Sequence, residues 1–307
     1  MTKRLLMCFL FLPLLLTLSS NSSAEEVVYQ YGFELGQNGW EIDNGIWELC
    51  VYGATAPPDG GFLYFSTVCD ANYPTVPDSR LISPEIQLPA PGTLAPDEEL
   101  HLRFWHWFSY SGGDYGYVQI SVYDESTGWS AWETLGSGFG WAESNVWSPA
   151  LVDLTEYAGK KVKLAFFHTT NNDSSASYGW SVDNVKVIKG VPAWDGDFEC
   201  DWGDWSAGNG VWKVGTPVGG TKVCYSGTQC AGTILGSTTY PRYTDSRLVS
   251  PTFEVPAAGA AELSFRHWYS YGAGDYGKVQ ISVYDALTGW SSWQDLTAVN
   301  ITGVSAG

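Results

Sequence analysis

Basic side chains are scarce in this sequence: 15 Lys and Arg stand against 33 Asp and Glu, a formal net charge of −18. That balance excludes a phosphate-neutralising surface as the main business of the chain, and with it nucleic acid as a partner. Histidine is rarer still. None of the four, His101, His106, His168 and His267, has the His-Glu-x-x-His setting that would place two imidazoles on one helix face around a zinc ion. A Gly-x-x-x-x-Gly-Lys-Ser/Thr phosphate loop is also missing. These absences point away from an enzyme. Only a pair of carboxylates brought together in three dimensions at glycosidase spacing escapes such a search.

Long apolar runs are lacking after the first residues. Lys3 and Arg4 precede an apolar stretch from Leu5 to Leu18, interrupted by Pro13 and followed by Ser22-Ser23-Ala24. This is the pattern of a cleaved secretory signal over residues 1–24, too short for a membrane span of roughly 20 apolar residues. The mature chain is expected to start at Glu25, to be secreted or surface-associated, and to insert into no membrane. Cys8, preceded by Met7, lacks the setting of a lipid-modified cysteine. Five cysteines then remain, an odd number for an oxidising compartment. Cys50 and Cys69 are the two within the first half and are expected to pair. Cys224 and Cys230 are the nearest candidates in the second half, with Cys200 able to displace either.

What the chain has in quantity is aromatic residues and glycine: 16 Trp, 18 Tyr, 13 Phe and 35 Gly. This is the mixture of many short strands joined by tight turns. A repeat organises it. Phe104 to Leu135 aligns without gaps to Phe265 to Leu296, with 22 of 32 positions identical, where chance would give roughly two. Phe33-Glu34 recurs as Phe198-Glu199, Asn44-Gly45 as Asn209-Gly210, and Asp78 to Leu81 as Asp245 to Leu248. The first unit therefore covers residues 25–189 and the second 191–307. At about 165 residues, the first can bury roughly 70% of its unfolded surface and hold its own core. The second has nothing matching Trp147 to Ile188 and reads as an incomplete copy, so the chain is expected to be a fragment of a longer product.

The period within the first unit is two. Leu100, Leu102 and Phe104 share one face and His101, Arg103 and Trp105 the other, while Val118, Ile120 and Val122 alternate with Gln119, Ser121 and Tyr123. Val162, Leu164 and Phe166 repeat the pattern, and Val182 to Ile188 reads as a closing strand. An all-β fold of antiparallel sheets packed as a jelly-roll sandwich is the expectation. His106, which recurs as His267, keeps the phase of Leu102 and Phe104, so it is expected as a hydrogen-bonded core histidine. Asp114-Tyr115-Gly116 and Asp275-Tyr276-Gly277 read as turns between strands.

These residues also carry a resemblance. Phe33-Glu34-Leu35-Gly36 with Gly39-Trp40, Ser79 to Pro84, the aromatic strand Leu102 to Phe108 and the closing Gly179 to Val185 resemble a bacterial MAM-like domain; the second unit repeats the first three motifs. Such domains are attached to secreted proteases similar to immune inhibitor A, and related jelly rolls bind carbohydrate. The resemblance implies an adhesive or targeting role. It also implies a structural calcium ion held by a glutamate after the opening Phe and an aspartate on the closing strand, which are Glu34 and Asp183 here. Hard carboxylate and carbonyl oxygens suit that ion; the plainer role for the pair is to cap turns.

The expected function is a secreted, non-catalytic binding or adhesion protein that recognises extracellular polysaccharide or glycoprotein. The alternative is an accessory region of a larger secreted protease or surface protein. Indole and phenol rings on a sheet face stack on the C–H faces of sugars. The candidates on the polar phase of their strands are Trp105, Trp107 and Tyr123, with Trp268 and Tyr284 as counterparts. A competing role, packing under loops or between modules, weighs most on Trp105, which Arg266 replaces in the second unit.

Overall fold

The computed structural model describes residues 25–52, 61–75, 78–140, 142–171, 173–192, 196–218, 223–236, 239–257, 259 and 261–305. The signal segment expected over residues 1–24 lies outside them. Among the described residues the first unit holds thirteen antiparallel strands: β1 (Glu26–Tyr31), β2 (Glu41–Asp43), β3 (Glu48–Val51), β4 (Leu63–Ser66), β5 (Ser79–Ile82), β6 (Ile86–Gln87), β7 (Glu99–Ser109), β8 (Tyr115–Asp124), β9 (Gly128–Trp129), β10 (Glu133–Gly140), β11 (Ser148–Asp153), β12 (Lys161–Thr169) and β13 (Gly179–Gly190). One sheet runs β11-β7-β13-β4-β3, with β1 also on β13; the other runs β10-β8-β12-β5-β2, with β6 on β12 and β9 on β8. The late strands β12 and β13 return to the middle of each sheet, which is the jelly-roll closure the alternating pattern implied. The helical hint after Asp153 is a single turn of 3-10 helix, Thr155–Tyr157.

The alternating phase becomes the core. Leu100, Leu102, Phe104, His106 and Phe108 of β7 face Val118 and Ile120 of β8 and Val162, Leu164 and Phe166 of β12, all at most 1% exposed. On β13 a bulge between Asp183 and Lys186 inserts one residue, with Asn184 at φ 48°, so that Val182 and Val185 both point inward. Trp180 sits at the centre, its ring 5.4 Å from Phe139 and Phe166 and 6.2 Å from Phe104. Its Nε1 donates to His106 Nδ1 at 3.4 Å. A methyl group on Gly116 would lie 2.6 Å from that indole, so the Asp-Tyr-Gly motif is more than a turn: Gly116 makes room for Trp180. Asp114 is likewise fully buried, accepting from Tyr73 Oη at 2.5 Å and the Asn171 amide at 2.8 Å.

The second unit reproduces the local bonds of the first. Tyr240 donates to Asp275 as Tyr73 does to Asp114, Arg247 Nε to Gln280 as Arg80 Nε to Gln119, and Trp212 Nε1 to the Ser246 carbonyl as Trp47 Nε1 to that of Ser79. Its closure is different. Its described strands form four two-stranded pieces, and residues 261–269, the counterpart of β7, make no strand pair. Leu263 and Phe265 are 52% and 51% exposed where Leu102 and Phe104 are at 0%. The flanking strands β11 and β13 that cover β7 have no counterpart among the described residues.

The two units touch along the outer face of β7 and β11. Trp105, Trp202 and Ala207 form a small buried cluster ringed by Trp147, Trp205, Trp212, Val214 and Leu248. Arg103 pairs with Asp204, and Thr252 Oγ1 donates to Glu99 at 2.9 Å at the rim.

Candidate functional site

The register of three strands builds an open groove on the outer face of the first sheet. Trp107 of β7 lies opposite Ser181 of β13, which lies opposite Ser66 of β4. Their side chains share one row because their strands put every second residue outward. The two serine hydroxyls are hydrogen-bonded at 3.0 Å and form the floor. Trp107 and Tyr178, rings 6.3 Å apart, make one wall. The other is Tyr52 stacked on Tyr64 at 4.5 Å, with Trp147 edge-on to both at 5.7 Å. Val68 and Cys69 complete the lining of a groove of about 270 Å³. Among the described residues, none that lines it is an Asp, Glu, Lys, Arg or His.

The Cys50–Cys69 disulfide, Cα atoms 5.4 Å apart, ties β3 to the loop after β4 and so holds the groove's margin. Burial, and then the neighbouring Asp183 carboxylate, push the Tyr52 phenol far above its ordinary range; burial, then Asp70, raises that of Tyr64. Both phenols stay neutral across physiological pH; Tyr64 offers one donor and one acceptor, and Tyr52, whose proton goes to Asp183, offers an acceptor.

Behind Tyr52 stand the two residues expected to hold a cation. Tyr52 Oη donates to Asp183 Oδ2 at 3.0 Å, and Glu34 Oε1 accepts from the amides of Phe62 and Leu63 at 2.7 and 2.9 Å. Both carboxylates reach toward Gly61: a methyl group there would collide with Glu34 Oε1 and lie 3.8 Å from Asp183 Oδ2. Two convergent carboxylates fit a hard cation. Among the described residues, no group of three or more His, Cys, Asp and Glu gathers as a metal site. In the second unit Glu199 accepts the amides of Thr228 and Gln229, the same device as Glu34.

The structure separates the other aromatic candidates. Trp105 is 8% exposed with its ring 6.3 Å from Trp202, so it is corrected from an open platform residue to a contact between the units. Trp202 and Ala207 of the second unit pack over it, with Trp147 of the first unit beside them; its strand phase is the outward one, as for Trp107. Tyr123 lies on the opposite sheet, against Trp129 and under the Lys161 ammonium at 3.7 Å, and forms no part of the groove. Tyr284 repeats that place beside Trp290, and Trp268 is 38% exposed. Tyr52, Tyr64, Trp147 and Tyr178 were not singled out from the sequence, because they stand at strand ends and in loops where no periodicity marks a face. Cys224 and Cys230 are joined, and Cys200 is reduced and exposed.

No family model matches this chain, and no curated protein matches it. The resemblance to MAM-like domains therefore finds no support there. Solved structures similar to this chain include a CBM22-1 xylan-binding domain from Paenibacillus barcinonensis Xyn10C, with TM-score 0.34, 13% identity and coverage of 55% of this chain and 97% of that one. A CBM22-1–CBM22-2 tandem domain of the same protein gives 0.34, 14%, 69% and 62%. The mannan-recognising module TmCBM27 gives 0.29, 13%, 54% and 98%. Values this low carry no argument about ligand or activity. Among the described residues no helix is long and apolar enough to cross a membrane.

Proposed function

We propose that the first unit is a secreted, non-catalytic glycan-binding module, taking an extracellular polysaccharide or the glycan of a glycoprotein into the groove beside Trp107. The observation that carries this reading is the combination of aromatic walls with a hydroxyl floor and, among the described residues, no ionised one in the lining. Rings present flat apolar faces to the C–H faces of a sugar, while Ser66, Ser181 and Tyr64 exchange hydrogen bonds with its hydroxyls and Tyr52 accepts one. Glycoside hydrolysis needs two carboxylates flanking the scissile bond, and none of the described lining residues supplies one. The two disulfides suit an oxidising compartment.

Affinity electrophoresis and pull-down on xylan, mannan and cellulose test it. Trp107→Ala is expected to weaken retention by about ten- to a hundredfold, since losing one buried aromatic contact costs about 1.5–3 kcal/mol. Trp105→Ala is expected to act on the contact between units instead. Retention unchanged by Trp107→Ala would sink the groove.

A structural calcium ion between Glu34 and Asp183 is part of the same proposal. When bound it would neutralise the paired carboxylates and so steady Tyr52 through Asp183. Adding a chelator is expected to lower the melting temperature of the first unit by several degrees, roughly the effect of 1 kcal/mol in a domain of this size. An identical melt with and without chelator removes the ion from the account.

A second reading, an accessory region of a larger secreted protease or surface protein, is favoured by the half-exposed apolar face of the second unit.

A further inference from the structure

We infer that the second unit is a working part of the groove: it braces Trp147, so that the tandem is the recognition unit. This rests on the reading of the groove as a glycan site. Trp147 precedes β11, whose first residue, Ser148, is fully buried and donates through Oγ to the Trp212 carbonyl of the second unit at 2.7 Å. On one side Trp147 packs on the cluster of Trp105, Trp202 and Ala207. On the other it meets Tyr52 and Tyr64, the groove's wall. One indole thus spans from the contact between units to the lining of the groove.

The fit at this point is close. A methyl group on Gly210 would stand 3.1 Å from Ser148 Cβ and Oγ and 3.3 Å from His106 Nε2, so the second unit's backbone lies directly against the start of β11. Without that contact, Trp147 would keep its two tyrosine neighbours and lose the surface that holds its other side. A wall free to change rotamer must be ordered when ligand binds, and the cost of ordering one side chain is a loss of affinity of about three- to tenfold. The second unit removes that cost in advance. It also covers Trp105, which closes the aromatic row beyond Trp107 and confines the ligand to the slot between the two walls.

The test uses the full chain with two substitutions outside the groove lining. Trp202→Ala removes the cluster contact, and Gly210→Val drives a wedge between the units. Xylohexaose, cellohexaose and mannohexaose are titrated calorimetrically, and fluorine NMR of fluorotryptophan-labelled protein follows Trp147, its resonance assigned with Trp147→Phe. In both variants the Trp147 resonance is expected to shift or broaden. The oligosaccharide bound by the wild type is expected to be held about three- to tenfold more weakly, with the thermal transition of the first unit unchanged. A Trp147 resonance unmoved in both variants overturns the inference, and so does a moved resonance with unaltered affinity. If the wild type binds none of the three sugars, the glycan reading fails separately, and the resonance alone then decides the bracing: movement supports it, constancy overturns it.

Discussion

Residues 191–307 expressed alone are expected to aggregate or be cut rapidly by protease, whereas residues 25–189 give a single cooperative melt. The identical or near-identical residues of the repeat make the comparison direct. Leu135 is 8% exposed and its counterpart Leu296 is 53%; Leu102 and Phe104 are at 0% against 52% and 51% for Leu263 and Phe265. Full burial of such a side chain contributes about 1.5–3 kcal/mol, and whole domains are stable by only about 5–15 kcal/mol. Half-burial at several core positions therefore removes stability of the same order as the total. Separation from the first unit would further uncover Trp202 and Ala207, adding to an apolar surface already large enough to drive association. Sharp, dispersed NMR resonances and a cooperative transition from the isolated segment would refute this.

Acidification from pH 6.5 to 4.5 is expected to destabilise the first unit by on the order of 4 kcal/mol, before most carboxylates are protonated. Burial depresses His106 to about 3 and His168 to about 4, the latter against a small opposing effect of Asp78. A histidine in the unfolded chain titrates near 6.5, so in this window the unfolded state binds more protons. The contribution is complete above pH 6.5 and is lost as pH falls toward the folded-state values, at about 1.4 kcal/mol per pH unit for each histidine. Both rings are enclosed: His106 by Phe104, Phe108, Phe139 and Trp180, and His168 by Tyr73 and the Tyr110 hydroxyl at 3.1 Å. Glu99 acts lower. Burial would raise its pKa, but hydrogen bonds from His101 and Thr252 hold it below 4.5, so its loss of stability falls beneath this window. Melts of the full chain at pH 7, 6 and 5 read the effect on the first unit, since Gly210 of the second stands against His106 Nε2, and His168→Gln is expected to roughly halve the slope. A melting temperature constant from pH 7 to 5 would show that neither ring is held neutral.

Much of the fold was legible because a strand with one buried face writes its environment into every second residue. Leu102, Phe104 and His106 took the inward phase that the sequence implied, and their burial followed. The repeat was legible for the same reason that its hydrogen bonds recur: Tyr73 with Asp114 and Tyr240 with Asp275 are one local solution used twice. The groove was not. Its walls come from Tyr52, Trp107, Trp147 and Tyr178, which only the pairing of β7 with β13 and of β13 with β4 brings together.

The sequence by itself determined the antiparallel jelly-roll pattern, the repeat, the inward place of His106 and the outward phase that Trp105 and Trp107 share. These are local properties, set by the two-residue period of a strand and by residue chemistry. The tertiary structure alone decided which of those two indoles is covered and which lines the groove. Strand phase states which way a side chain points and not what stands in front of it; that depends on where Trp202, more than ninety residues further along the chain, comes to rest.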